Sequence, residues 1–234
     1  SPLGRFHEDS GSYYANLLRK EIEAQGPETV AAFLAEPITG TSGGAIVPPD
    51  DYWPQVREIC DQYGVVLIID EVMTGFGRTG SNFGYQHWPI EPDILVGGKG
   101  LAGGYAPLGG IFATEEIGQA IESAGFQVMF TTFGAHPAAC AAAAEVLEII
   151  REEELVESVR GKGEYLLGRL KDSLSQHPNL GEVRGKGLLA CVELVKDRET
   201  LEQFPIEASV TNKIIVKGLE KGVFFYGGGT GEVR

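Results

Sequence analysis

The sequence VVLIID at residues 65–70 predicts a β-strand more strongly than any other stretch of the chain. A continuous run of β-branched and aliphatic residues is typical of a strand buried on both faces, as in a parallel sheet covered by helices. The run ends in Asp70, a carboxylate that is expensive to bury unless a positive or hydrogen-bonding group meets it. Because ligands of parallel α/β sheets lie at the carboxyl ends of strands, Asp70 is a candidate site residue. The alternative is a carboxylate that caps the following turn.

The pattern of the remaining segments predicts an α/β domain followed by a smaller α+β domain. Helical spacing is found at residues 13–25, 52–64, 137–155 and 164–177, and short strands are expected within 30–37, 93–98 and 108–114. Near the end, LLACVELV and GVFFYG are predicted as strands on either side of the helical segment SVTNKIIVKGLEKG. We therefore expect a large domain over residues 1–155 and a small domain over residues 156–234.

Composition excludes several classes of function. The 33 acidic and 19 basic side chains give a net charge of −14, which repels nucleic acid and anionic lipid surfaces. No apolar stretch approaches the roughly 20 residues that a membrane helix needs. Cys60, Cys140 and Cys191 are widely spaced and odd in number, which favours reduced thiols and a cytoplasmic protein over a disulfide framework.

The second candidate site residue is Lys99, which stands between glycines in the sequence DILVGGKGLAGG at residues 93–104. Most such triplets are surface turns. A nucleotide triphosphatase would combine an acidic strand end such as LIIDE with a phosphate-binding loop, GxxxxGK[ST]. That loop is absent from these 234 residues, which weakens this alternative without excluding it.

Five segments taken together resemble the class III aminotransferases, which are pyridoxal phosphate enzymes. They are AEPITGTSGG, DEVMTGFGRTG, PDILVGGKGLAGGYAPLGG, TFGAHPAACAAA and VRGKGLLACVEL, in the order of the family. The resemblance covers nearly the whole chain and implies the pyridoxal-phosphate-dependent transferase fold type I, with a mostly parallel large domain and a smaller α+β C-terminal domain.

The resemblance also implies the chemistry of the two candidates. Lys99 would form a Schiff base with pyridoxal 5′-phosphate and then shuttle a proton as general base, and Asp70 would hold the pyridine nitrogen protonated. The implied reaction moves an amino group from an amine or amino acid to a 2-oxo acid. An aminomutase of the glutamate-semialdehyde type and an inactive truncated relative that acts as a structural subunit are the alternatives.

Three further cofactor contacts follow from the resemblance alone. Val72 would pack on the cofactor ring. Met73 stands where many relatives have a glutamine that hydrogen-bonds the 3′ oxygen, a bond that a thioether cannot donate. Thr132 would reach the cofactor phosphate of a neighbouring subunit, which implies a homodimer with shared sites.

The resemblance is to the second half of a longer enzyme. Relatives carry an N-terminal part with a glycine-serine turn for the phosphate and an aromatic ring stacked on the pyridine, so we expect a fragment that lacks this part and the extreme C-terminus. Thr41 occupies the place of a gating glutamate in the ornithine and γ-aminobutyrate enzymes, which argues against their dual-substrate switch. For Glu36, His136, Arg78 and Arg184, structural roles are expected.

Overall fold

The computed structural model describes residues 10–125 and 131–228. The helices are α1 Ser10–Gln25, α2 Tyr52–Tyr63, α3 Glu115–Ser123, α4 Pro137–Glu152, α5 Leu155–Leu174 and α6 Val210–Glu220. The strands are β1 Ala32–Ala35, β2 Val66–Asp70, β3 Ile94–Gly97, β4 Gly110–Ala113, β5 Leu180–Lys186 and β6 Leu189–Leu194. Short 3₁₀ turns lie at Pro27–Thr29, Gly84–His87, Lys99–Ala102 and Ile206–Ala208.

The first four strands form one mixed sheet in the order β1-β2-β3-β4. β1 pairs parallel to β2 and β2 pairs parallel to β3, whereas β4 returns antiparallel to β3. The expected mostly parallel sheet is therefore confirmed. It places the carboxyl ends of β1, β2 and β3 along one edge.

The side chains of β2 alternate in burial along the strand. Leu67 and Ile69 are 0% exposed, whereas Val66 and Ile68 are half-buried. Helix α2 covers the sheet with Trp53 and its other buried side chains. The prediction that β2 is buried on both faces was wrong for the described residues, because only every second side chain is sealed from solvent.

The chain divides into two compact units. The first takes the chain up to Pro37 and resumes over Pro48–Val156; the second joins Ile38–Val47 to the residues from Glu157 onwards. The four-stranded sheet belongs to the first unit. In the second unit, β5 and β6 form an antiparallel hairpin, with an irregularity in the register between Leu180 and Glu182.

Two differences from the predicted elements lie in the second unit. GVFFYG, residues 222–227, was predicted as a strand but contains none, and its side chains from Val223 to Tyr226 are 47–76% exposed. Strand β5 was not predicted, because two glycines and three charged residues interrupt its apolar pattern. In the first unit, helix α3 was also not predicted.

Candidate active site

The sheet brings Asp70 and Lys99 to the same edge. Asp70 is the last residue of β2 and is paired with Val96 of the parallel neighbour β3. The amide of the next residue, Glu71, continues the ladder by donating to the Val96 carbonyl at 2.8 Å. Strand β3 ends at Gly97, so Lys99 follows its carboxyl end directly. Both candidates thus lie where ligands of parallel sheets bind.

The carboxylate of Asp70 is held by its own turn. Its Oδ1 accepts a hydrogen bond from the Val72 amide at 2.9 Å. Asp70 is half-buried, and its Oδ2 makes no hydrogen bond to another described residue. The turn that the alternative interpretation required is therefore present, yet it occupies only one of the two carboxylate oxygens. The second oxygen remains able to accept a proton donor from a ligand.

Lys99 has an unusual backbone and an accessible amine. Its φ is +39°, in the left-handed region that favours glycine, and its side chain is exposed. Its Nζ lies 3.0 Å from the Met73 sulfur. Among residues 10–125 and 131–228 it forms no ion pair. A thioether is a weak acceptor, so this contact orients the amine without neutralising it.

The glycines beside Lys99 make room for protein side chains. A β-carbon at Gly97 would lie 3.0 Å from the Phe76 ring, and one at Gly100 would lie 3.1 Å from Phe76 Cβ. A β-carbon at Gly98 would lie 3.5 Å from Val72 Cγ2. Val72 and Phe76 therefore pack against the backbone that carries Lys99.

Thr132 is the predicted residue that the described structure does not join to this cluster. It is exposed in the turn before α4. None of its described contacts reaches Asp70 or Lys99. Its exposed position leaves the predicted contact with a neighbouring subunit as a prediction.

Glu71, the residue after Asp70, is a buried carboxylate that the sequence interpretation missed. It is 0% exposed. Its Oε2 accepts from Thr74 Oγ1 at 2.5 Å and from the Gly84 amide at 2.8 Å, and its Oε1 accepts from the Tyr85 amide at 2.8 Å. Burial raises the pKa of Glu71, the three donors oppose that rise, and the Asp70 charge adds to it. The carboxylate thus joins the two ends of the segment 71–85.

The alternation of side chains along β2 could have predicted that Glu71 is buried. Leu67, Ile69 and Glu71 are spaced by two, so they project to the same face of an extended chain. Because Leu67 and Ile69 are fully buried, the same phase predicts burial of Glu71. Asp70 has the opposite phase, which agrees with its partial exposure.

Most of the residues expected to be structural have structural contacts. His136 Nδ1 accepts from the Ala139 amide at 3.4 Å and caps α4. Arg184 pairs with Glu182 at 2.9 Å and with Glu193, and donates to the carbonyls of Gly43 and Gly44. Although burial lowers the pKa of Arg184, its two acidic partners outweigh that effect and raise it.

The cysteines and the acidic side chains form no other centre. Cys60, Cys140 and Cys191 form no disulfide with one another. Within the part of the chain that the structure describes, no cluster of His, Cys, Asp and Glu could hold a metal ion. In the same residues, no helix combines the length and the apolar character needed to cross a membrane.

Comparison with known proteins gives one consistent family. The family profile described as "Aminotransferase class-III" matches residues 5–234. The putrescine–pyruvate aminotransferase of Pseudomonas aeruginosa is 44% identical over 197 residues, which are 84% of this chain and 43% of that protein. The taurine–pyruvate aminotransferase of Bilophila wadsworthia is 43% identical over 92% of this chain and 48% of its own.

Solved structures agree with these relatives. A transaminase obtained by ancestral reconstruction superimposes with a TM-score of 0.93 at 37% identity, over 100% of this chain and 52% of its own. The (S)-enantioselective omega-transaminase of Thermomicrobium roseum gives 0.91 at 41% identity, over 97% of this chain and 50% of its own. The chain thus spans about half the length of the relatives that it matches.

Proposed function

The chain belongs to the class III aminotransferases, and from that premise we propose that the protein is a transaminase that transfers an amino group from an amine or amino acid to a 2-oxo acid. The family has the fold type I architecture expected from the sequence and depends on pyridoxal 5′-phosphate. The observation that carries the proposal is that the half-buried carboxylate of Asp70 and the exposed amine of Lys99 lie at the carboxyl ends of two neighbouring parallel strands.

The residues present fit this cofactor. A primary amine that forms no ion pair with the described residues is the group that bonds to an aldehyde. The Oδ2 of Asp70, which has no hydrogen-bond partner among those residues, is the acceptor that a protonated ring nitrogen requires. When bound, the cofactor supplies an electron sink for the substrate carbon. Val72 and Met73 would line the ring, since Met73 already contacts the Lys99 amine.

Each protein group has a distinct task in this proposal. Lys99 would first hold the cofactor and then, as a free amine, take and return a proton at the substrate carbon. The Val72 amide fixes the direction of the Asp70 carboxylate, so its charge is oriented before the ligand arrives. Lys99 has a positive φ, and its amine lies against the Met73 sulfur.

The partners and the setting are part of the proposal. The substrates would be a small-molecule amino donor and an oxo-acid acceptor, and pyruvate is the acceptor in the names of both curated relatives described above. A homodimer with Thr132 at a shared site is supported by the exposure of that residue. Three cysteines without a disulfide among them favour the cytoplasm. We also propose that the large domain, residues 1–155, and the small domain, residues 156–234, meet between residues 155 and 156.

Lys99→Ala tests the function in the full-length protein that carries this chain. After incubation with pyridoxal phosphate and borohydride reduction, mass spectrometry should find the cofactor on Lys99 in the wild type and no such adduct in the variant. Amino transfer from a diamine or an aminosulfonate to pyruvate should fall at least about 10²-fold to 10⁴-fold, the range of general acid–base catalysis. Lys20→Ala, an exposed lysine of α1, is the matched control and should behave as the wild type.

The same assay separates the alternatives. Turnover that needs no added oxo acid would indicate an aminomutase. A wild type with no cofactor adduct and no turnover would support the inactive structural subunit and refute the proposal.

A further inference from the structure

We infer that Glu71 is a positioning residue for Lys99: its buried carboxylate closes the segment 71–85 and thereby presses Val72 and Phe76 against the backbone on both sides of the lysine. This inference rests on the proposed function, because it assigns a purpose to the position of the Lys99 amine. It concerns a residue that does not itself contact Lys99 through any described hydrogen bond or ion pair.

The first step is the closure of the segment. The carboxylate bonds to donors three, thirteen and fourteen residues further along, at Thr74, Gly84 and Tyr85. The backbone at Gly84 packs tightly on Thr74, since a β-carbon at Gly84 would lie 2.7 Å from Thr74 Cβ. Among the described side chains, no cation contacts the Glu71 carboxylate. Its interactions therefore fix the path of the backbone rather than satisfy a charge pair.

The second step runs from the closed segment to the lysine. Phe83, just before the anchored amides, packs edge-on against Phe76 with ring centroids 5.5 Å apart. Phe76 in turn fills the space above Gly97 and Gly100. Packing is therefore continuous from the segment that Glu71 closes to Gly97, which ends β3, and to Gly100, the second residue of the Lys99 turn.

The third step is backbone strain. Phe76 and Lys99 both have positive φ, at +56° and +39°. A residue other than glycine adopts such a conformation at a cost of about 1–3 kcal/mol, which the surrounding packing has to offset. Phe76 lies against the backbone at Gly100, the residue after Lys99, so the segment that Glu71 closes packs directly on the strained turn and can offset its cost.

Glu71→Gln is the direct test. Glutamine keeps the size of the side chain but replaces one acceptor oxygen with a donor, so either the Gly84 or the Tyr85 amide loses its partner. In the protein without cofactor, we expect about tenfold faster hydrogen exchange at the Leu101 amide, which bonds to the Gly98 carbonyl at 2.9 Å within the lysine turn. With cofactor, about tenfold more pyridoxal phosphate should be needed to modify half of Lys99 before reduction.

Two controls separate positioning from general loss of stability. Glu58→Gln makes the same chemical change at an exposed site of α2 and should alter neither measurement. Val56→Ala removes buried volume from α2, far along the sequence from the lysine turn, and lowers global stability. If Val56→Ala reproduces both effects of Glu71→Gln, the positioning role is overturned.

Phe76→Leu weakens the packing of Phe76 on Phe83 and on the lysine turn but leaves the hydrogen bonds of Glu71 in place. It is the test to use if Glu71→Gln does not fold. It should speed exchange at Leu101 while leaving the Gly84 and Tyr85 amides protected. The double variant should add little to either single one, because both act on one chain of contacts.

Unchanged exchange at Leu101 in the presence of faster exchange at Tyr85 would overturn the inference. A wild type without any Lys99 adduct would refute the proposed function instead, and the exchange measurement would still decide the role of Glu71.

Discussion

The carboxylate of Glu71 and the guanidinium of Arg184 are both removed from water, but different partners stabilise them. Glu71 is surrounded by a hydroxyl and two backbone amides. Arg184 has two carboxylates and two backbone carbonyls. Burial is the dominant effect on Glu71, and it raises the pKa and so favours the neutral acid. For Arg184 the ion pairs outweigh burial, and they raise the pKa and so favour the charged guanidinium.

The difference teaches what each centre fixes. Neutral donors have defined directions, so the Glu71 centre sets the path of a segment beside Lys99. At the Arg184 centre the two carboxylates of the β-hairpin hold the guanidinium, and its planar fork donates to the carbonyls of Gly43 and Gly44, so this centre joins that loop to the hairpin. We expect substitutions at the first centre to affect the lysine turn and substitutions at the second to affect the hairpin.

Arg184→Met should have the largest effect on stability. It leaves Glu182 and Glu193, which are paired across the hairpin, without a cation. Breaking the largely buried Arg184–Glu193 pair destabilises by about 3 kcal/mol, whereas the pair with the more exposed Glu182 adds little. Hydrogen exchange of the β5 and β6 amides should accelerate by about 100-fold as a result. Arg151→Met, which breaks the exposed pair with Glu148, is the control and should leave these amides unchanged. Equal exchange in both variants would show that the centre contributes no stability.

Thr74→Val should have an intermediate effect. The substitution keeps the shape of a fully buried side chain but removes one of three donors to Glu71. We expect a loss of about 1 kcal/mol in the free energy of unfolding, measured by denaturant titration at neutral pH. Thr74→Ser retains the hydroxyl and should recover the part that the hydrogen bond supplies. If serine is no better than valine, packing rather than the bond accounts for the loss.

The smallest expected effect is a dependence of stability on pH. Because burial raises the pKa of Glu71, the folded protein binds this proton more tightly than the unfolded chain does. The stabilisation is complete below the ordinary pKa of 4.5 and is lost as pH rises through the folded-state value. The unfolding free energy of the wild type, relative to Glu71→Gln, should therefore fall from about pH 4.5 upward. A difference that grows with pH would mean that the three donors outweigh burial.

Local patterns predicted much of the fold. The aliphatic run at β2, the Gly-Pro end of α1 and the alanine-rich α4 carry periodic or terminating signals of their own. The hairpin strand β5 does not, because its pairing partner β6 defines it more than its own composition. GVFFYG has the composition of a strand, yet no described strand pairs with it, and strand formation requires a partner.

The sequence predicted the candidate residues whose own side chains have the reactive groups. Asp70 ends β2 and Lys99 comes two residues after β3, so strand prediction alone brings them to one edge. Glu71 was missed because a second acidic residue after a strand is usually solvated. Its donors are a threonine and two backbone amides, and backbone amides leave no trace in a sequence.

The left-handed backbone of Lys99 has a consequence for how this chain can change. Glycine would relax that turn, since a side chain there costs about 1 kcal/mol or more. Selection for thermal stability alone would therefore favour replacing the very lysine whose amine the proposed reaction needs. Thermal stability favours glycine at position 99, whereas the proposed reaction requires lysine. Mutant libraries made to stabilise this protein should therefore keep Lys99 unchanged.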